Sequence, residues 1–186
     1  VYRKDGSTHS GDDRGYVLLP YSGNNEPLPF DVNKYLTVEA LEDGLTACVN
    51  LTSDVSEKYD LKYCIDGSGD WIQIVSGEYT QPINTGQVIS FRGIFPNPSQ
   101  YDSVGTFDIT KKCNLKGNCY SIAFGDNTTP TFDSYYHTDL LEGLFKNNIN
   151  IVSVSDNFLS VTNLNGSSYS NMFSGCTGLI KGPKLP

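Results

Sequence analysis

From Tyr35 onward apolar and polar residues alternate with a period of two. Leu36, Val38 and Ala40 share one face with Thr37, Glu39 and Leu41 on the other; Glu42-Asp43-Gly44 then turns the chain, and Leu45, Ala47, Val49 and Leu51 resume the pattern. A period of two is the repeat of a half-buried strand, so this stretch predicts a β-hairpin. Further strands are predicted at about Leu61 to Ile65, Trp71 to Val75, Gln87 to Ile94, Thr106 to Ile109 and Cys119 to Phe124. The turn clusters between them are spaced as in a β-sandwich, and Pro82, Pro96 and Pro98 fall outside the strands, where a missing donor costs nothing. Past Asn127 the pattern changes. Thr138 is placed to cap a short helix over Asp139 to Lys146, which hands over to a strand at Ile149 to Val154.

The C-terminal stretch YSNMFSGCTGLIKGPKLP, Tyr169 to Pro186, fits neither period. Met172-Phe173 is followed by Cys176, Leu179, Pro183 and Leu185-Pro186, the irregular apolar spacing that solenoid repeats show. A looser copy lies upstream at an interval of about 28 residues, within the range of solenoid units. There Leu144-Phe145 stands at the place of Met172-Phe173, Asn148 near that of Cys176 and Ile151 at that of Leu179. The two copies form a weak internal repeat.

MFSGCTGLIKGPKLP resembles the MFxGCTxLxxxPxLP unit of BspA-like leucine-rich-repeat surface proteins, found in Bacteroidales and in some of their phages. Three further stretches have counterparts in the β-sandwich region that precedes the repeats in that family: YLTVEALEDG from Tyr35, the hairpin ending in Trp71, and YSIAFGDN from Tyr120. The resemblance covers about Tyr35 to Pro186; the upstream copy lacks the GCT core, and the segment between Asn127 and Leu144 departs from the family pattern. It implies a fold and a surface setting, an inward packing role for Cys176, and no reaction.

Residues 1–34 hold four clusters of Gly, Asp, Asn or Pro and one apolar run, Tyr16 to Leu19. They read as an extended arm or linker, and Pro20, Pro27 and Pro29 bias their preceding residues toward extended backbone. The run YVLLPY either anchors the arm to a neighbour or adds an edge strand to the following domain. Since the chain starts at Val1 without Met, it is expected to be a piece of a longer polypeptide.

Composition sharpens the class. Charged residues make up only 18% and aromatics 12%, with 12 Tyr, 9 Phe and 18 Gly, a balance that favours strands joined by tight turns. A net charge of −8, with the basic residues scattered apart from the pairs Arg3-Lys4 and Lys111-Lys112, argues against nucleic acid, whose phosphates need clustered cations. No apolar run approaches the roughly 20 residues that span a bilayer, so membrane insertion is not expected.

Candidate chemistry is sparse. The five cysteines, Cys48, Cys64, Cys113, Cys119 and Cys176, are odd in number, so at least one stays unpaired within the chain. Cys113 and Cys119 flank NLKGN, read as a hairpin turn, and either pair or act as small buried hydrophobes. Their spacing does not suit zinc, and no metal or cofactor is expected. In CIDGSGDW, Asp66 closes a turn resembling the Asp-box hairpin, with Trp71 packed beneath; a calcium loop and a sugar-stacking role for Trp71 are the other readings. The stretch TTPTFDSYYHTD, Thr128 to Asp139, carries Phe132, Tyr135, Tyr136 and His137 beside two aspartates, a mix that binding surfaces favour. These four residues are the candidate ligand-binding set, or else the aromatics cap the open end of the repeat stack. Neither histidine, His9 or His137, sits with a nucleophile in a known catalytic context, and no catalytic residue is assigned.

The expected protein is therefore all-β: an immunoglobulin-like β-sandwich followed by the start of a leucine-rich-repeat-like solenoid. Its parts are an arm over 1–34, a sandwich over 35–127, and a junction loop with the first repeat units over 128–186. The expected function is non-catalytic recognition or adhesion outside the cell, at a bacterial surface, toward a host-surface glycan or protein. The alternative is a structural subunit of a phage tail or fibre, located in the virion, whose arm contacts neighbouring subunits during host attachment.

Overall fold

The computed structural model describes residues 31–52, 59–95, 103–126, 139–160 and 169–185. Across them the chain is mostly β-strand with almost no helix. The elements are β1 (Leu36–Ala40), β2 (Ala47–Leu51), β3 (Asp60–Ile65), β4 (Ile72–Gln73), β5 (Val88–Ile94), β6 (Gly105–Ile109), β7 (Cys113–Lys116), a single helical turn α1 (Ser121–Phe124), and β8 (Ile151–Val154). A six-stranded sheet runs β4-β3-β5-β1-β7-β8, and β2 pairs with β6 in a two-stranded sheet. All pairings are antiparallel except β7 with β8.

The alternation at Leu36, Val38 and Ala40 is a strand, and all three side chains are buried. The hairpin expected from it is not formed. Thr37 lies opposite Ser90 of β5 on one side and Lys116 of β7 on the other, so β1 has no free edge for β2. The turn at Glu42 to Gly44 instead carries the chain across to the second sheet, where Ala47 lies opposite Ile109. The central position of β1 is fixed by polar atoms as well as apolar ones. The fully buried Thr37 hydroxyl meets that of Ser90 at 2.9 Å, which removes the cost of burying either alone.

Other expectations are corrected. The strand foreseen over Cys119 to Phe124 is the α1 turn, because the buried Ser121 hydroxyl accepts from Leu36 N at 2.7 Å and donates to Phe91 O at 2.8 Å. The strand in that part of the chain is β7, so Asn114 to Lys116 is strand rather than the hairpin turn read between Cys113 and Cys119. The helix foreseen over Asp139 to Lys146 is a run of turns, closed by bonds from Glu142 N to Asp139 O, Leu144 N to Leu141 O and Lys146 N to Gly143 O. Gly143 at φ 63° breaks any helix there. The strand expected from Trp71 to Val75 shortens to Ile72–Gln73.

The two repeat copies lie one on the other. Gly143, Phe145 and Asn147 of the upstream copy donate their N–H groups to the carbonyls of Ser170, Met172 and Ser174 in the next. Left-handed backbone recurs at the repeat spacing with the residue types exchanged: Gly143 (φ 63°) corresponds to Asn171 (φ 56°), and Asn147 (φ 64°) to Gly175 (φ 77°). Gly and Asn are the residues that enter this region most readily. The strand part continues the register, with Ser153 bridged in parallel to Lys181.

One apolar cluster joins these layers to the sheets. Its spine is a line of rings: Phe91 on β5 meets Phe107 on β6 at 5.1 Å, Phe107 meets Phe145 at 5.3 Å, and Phe145 meets Phe173 at 5.6 Å. β6 and the residue before it also bond to the upstream copy, Val104 N donating to Leu140 O and Phe107 N to Leu144 O.

Candidate functional site

A cleft of about 240 Å³ opens on the face of the large sheet between β3, β5 and the end of α1. β3 contributes Asp60 and Lys62 on alternate positions, β5 contributes Arg92 and Ile94, and Gly125 with Asp126 closes the far side. The sequence sets this arrangement locally. Gly93 has no side chain because a Cβ there would stand 2.6 Å from Ile122 O, so α1 lies directly against β5 and holds Asp126 near Arg92. Ile94 is 64% exposed, an apolar patch among charged neighbours.

Asp126 is the hub. Its Oδ1 accepts from the Tyr35 hydroxyl at 2.6 Å and pairs with Lys34 Nζ at 2.8 Å, and its Oδ2 lies 3.7 Å from Arg92. The Lys34 hydrogen bond, helped by that of Tyr35, lowers the Asp126 pKa below the ordinary carboxylate value, and the same bond raises that of Lys34. Burial, then the Asp126 carboxylate, raises the Tyr35 phenol. Arg92 lies over Trp71 with its guanidinium carbon 4.3 Å from the ring centroid, a cation–π geometry. Tyr35 meets the same indole edge-on at 5.1 Å. Lys62 pairs with Asp60 at 3.0 Å on the cleft's outer wall.

Trp71 thus belongs to this cluster and gives one interaction to Arg92, which differs from the open platform of the sugar-stacking reading. Asp66 is a turn residue. It adopts φ 49°, and its carboxylate accepts from Val88 N at 2.9 Å and Gln87 Nε2 at 2.6 Å, tying the β3–β4 turn to β5. Both oxygens are engaged in that tie. Among the described residues no group of three or more His, Cys, Asp or Glu could hold a metal ion, and no helix is long and apolar enough to cross a membrane.

Phe132, Tyr135, Tyr136 and His137 lie outside the described residues, as does Thr138. Their segment begins at the residue after Asp126. All five cysteines are buried thiols. Cys176 points inward, its Sγ 3.0 Å from Phe145 O, and burial pushes the Cys113 thiol up to about 12.

No family model, curated protein or solved structure matches this chain. The site therefore rests on its geometry. Lys34, Tyr35, Arg92 and Asp126 were not singled out from sequence. One signal was present in SFRGI, where a lone cation interrupts an apolar strand between Phe91 and Gly93. Nothing local links it to Asp126, which lies beyond three further elements of the fold.

Chemically, the cleft offers carboxylates and cationic donors side by side around an apolar patch. Adjacent acceptors and donors of this kind suit vicinal hydroxyl groups, which donate and accept at once.

Proposed function

We propose that the chain is a non-catalytic recognition module that acts outside the cell, an immunoglobulin-like β-sandwich carrying the first layers of a leucine-rich-repeat-like stack. The observation that carries this reading is the registry of the two copies, in which Gly143, Phe145 and Asn147 donate to the carbonyls of the next copy. Interlayer bonding at a fixed spacing is how repeat arrays build extended surfaces for partners. The resemblance of MFSGCTGLIKGPKLP to BspA-like surface proteins agrees with it.

The phenylalanine line from Phe91 to Phe173 supports rigid presentation, since it packs the repeat layers into the same apolar cluster as the sheets. The ligand class is a polyhydroxylated host-surface glycan, seated in the cleft between Asp60, Arg92, Ile94 and Asp126. Recognition continues into the segment bearing Phe132, Tyr135, Tyr136 and His137. Arg92 and Asp126 act as donor and acceptor, and Ile94 covers an apolar sugar face.

The test is binding of the purified chain to an array of host-surface glycans and to host cells, beside Arg92→Ala and Asp60→Asn variants. Saturable glycan binding that both variants weaken supports the proposal. Binding unaffected by either moves the ligand surface elsewhere, and no binding to glycans or cells rejects recognition as the function.

A second reading, a phage tail or fibre subunit with residues 1–34 as an assembly element, is favoured by one observation. The chain enters the described fold at Asp31 to Tyr35, where Tyr35 packs on Trp71, the residue before the edge strand β4 of the large sheet.

A further inference from the structure

Sheet edges are templates for another strand unless they are covered or charged. Among the described residues three of the four edges are covered. β8 meets Lys181 at Ser153, β2 is bridged by Tyr79 at Cys48, and β6 donates from Phe107 to Leu144 O. Among those same residues, nothing covers β4. Its Ile74 neighbour donates to Leu61 O, and Lys62 lies opposite Gln73. By the alternation of antiparallel ladders, the N–H and C=O of Gln73 point away from β3, and no described residue bonds them.

This edge is also apolar. From Trp71 to Val75 the chain reads WIQIV, without charge or proline. Ile72, Val75 and Tyr79 are 40%, 54% and 51% exposed. Beside them, between the two sheets, a groove of about 150 Å³ reaches in to Ala47, Val49 and Ile74, with Gln73, Glu78 and Thr80 giving it a polar rim. A groove of that size holds a group about as large as a benzene ring.

We propose that β4 is a strand-acceptor site and that its occupant is the chain's own run Tyr16 to Leu19, paired along Gln73 with an apolar side chain in the groove. Three observations select that occupant. YVLL is the one continuous apolar run in residues 1–34, and it is apolar on both faces of a strand, matching Ala47, Val49 and Ile74 inside the groove and Val75 outside. The arm joins the fold beside the site, since Tyr35 packs 5.1 Å from Trp71, the residue before β4. Pro20 to Phe30 can extend over roughly 36 Å, while Trp71 to Val75 covers only about 13 Å, so the tether reaches with slack. A segment tethered this way acts at millimolar effective concentration, ahead of the arm of another copy at ordinary dilution. Strand addition of this type takes affinity from main-chain bonds and specificity from alternate side chains.

The test is amide hydrogen exchange at Gln73 in the full chain at low and high protein concentration, with Val38 and Phe91 as controls inside the sheet. The proposal expects Gln73 protected by at least about tenfold over an open amide, equally at both concentrations. A Leu18→Asp/Leu19→Asp variant should lose that protection while the controls keep theirs. Fast exchange of Gln73 in the unaltered chain overturns the proposal even if the double variant fails to fold. So does protection that survives in the variant, which assigns the edge to another segment. Protection that disappears on dilution also overturns it, placing another copy's arm there and supporting the assembly reading instead.

Discussion

Phe173 lies flat on Phe145, with ring centroids 5.6 Å apart and planes 7° from parallel. The two residues hold equivalent places in the two copies, and the main-chain bonds around them join one copy to the next. Their surroundings differ. Phe145 is fully buried between Phe107 and Phe173, whereas Phe173 is only partly buried at the outer layer. Phe145→Ala is therefore expected to cost about 3–5 kcal/mol, the range for emptying a buried aromatic site. Phe173→Ala should cost about 1–2 kcal/mol, because part of its surface never left water. Urea unfolding of both variants checks this, and equal costs would contradict the layer order.

Two glycines separate close packing from chain flexibility. A Cβ at Gly178 would stand 2.2 Å from Ile149 O, while one at Gly182 would meet nothing within 4 Å. Gly178→Ala should force the layers apart at a cost of about 1–3 kcal/mol, and Gly182→Ala should stay within about 0.5 kcal/mol of the parent. Thermal unfolding of the pair distinguishes them.

The elements that could be read from sequence were those whose partners did not matter. Leu36, Val38 and Ala40 bury one face whichever strand lies alongside, so period two identified β1 and, beyond the turn, β2, while flanking turn clusters bounded β3, β5 and β6. Pairing could not be read that way. Alternation on both sides of Glu42 to Gly44 suits a hairpin and a crossover equally, and what decided between them was Ser90 and Lys116 occupying both edges of Thr37. The α1 turn was hidden because a single turn is too short to show a helical period, and its conformation follows from Ser121 bonding to Leu36 and Phe91. The cleft was hidden for a related reason. Its cations and carboxylates come from Lys34, Asp60, Lys62, Arg92 and Asp126, and only the fold brings them together. The apolar pairs Leu144-Phe145 and Met172-Phe173 were visible because they recur locally, whereas the matching left-handed Gly and Asn positions emerged only from the backbone.

The Asp126 cluster should leave a mark on acid stability. Its carboxyl is held below the ordinary value, about 3.9 in an unfolded chain, chiefly by the Lys34 hydrogen bond. A lowered carboxylate pKa stabilises the fold above the unfolded value, and that contribution fades as pH falls through the folded one. Asp126→Asn should therefore be less stable than the parent near pH 6, with the difference shrinking below about pH 4. A difference that stays constant down to pH 2 would show that Asp126 acts through packing alone.

The thiols give a compositional check. All five cysteines are buried and unbridged, and burial raises Cys113 to about 12, leaving little thiolate at neutral pH. A thiol-specific reagent should label the native chain slowly and all five sites quickly after denaturation, whether or not a reductant was present beforehand. Fewer labelled sites without reductant would reveal a disulfide.

The most direct measurement on the central claim is site-resolved amide hydrogen exchange across the two repeat copies. Gly143, Phe145 and Asn147 donate into the next layer, whereas the equivalent N–H groups of Asn171, Phe173 and Gly175 meet no acceptor among the described residues. The stacked arrangement requires slow exchange in the first set and fast exchange in the second. Fast exchange at all six amides would show that the copies do not stack, and the recognition surface built on them would fall with it.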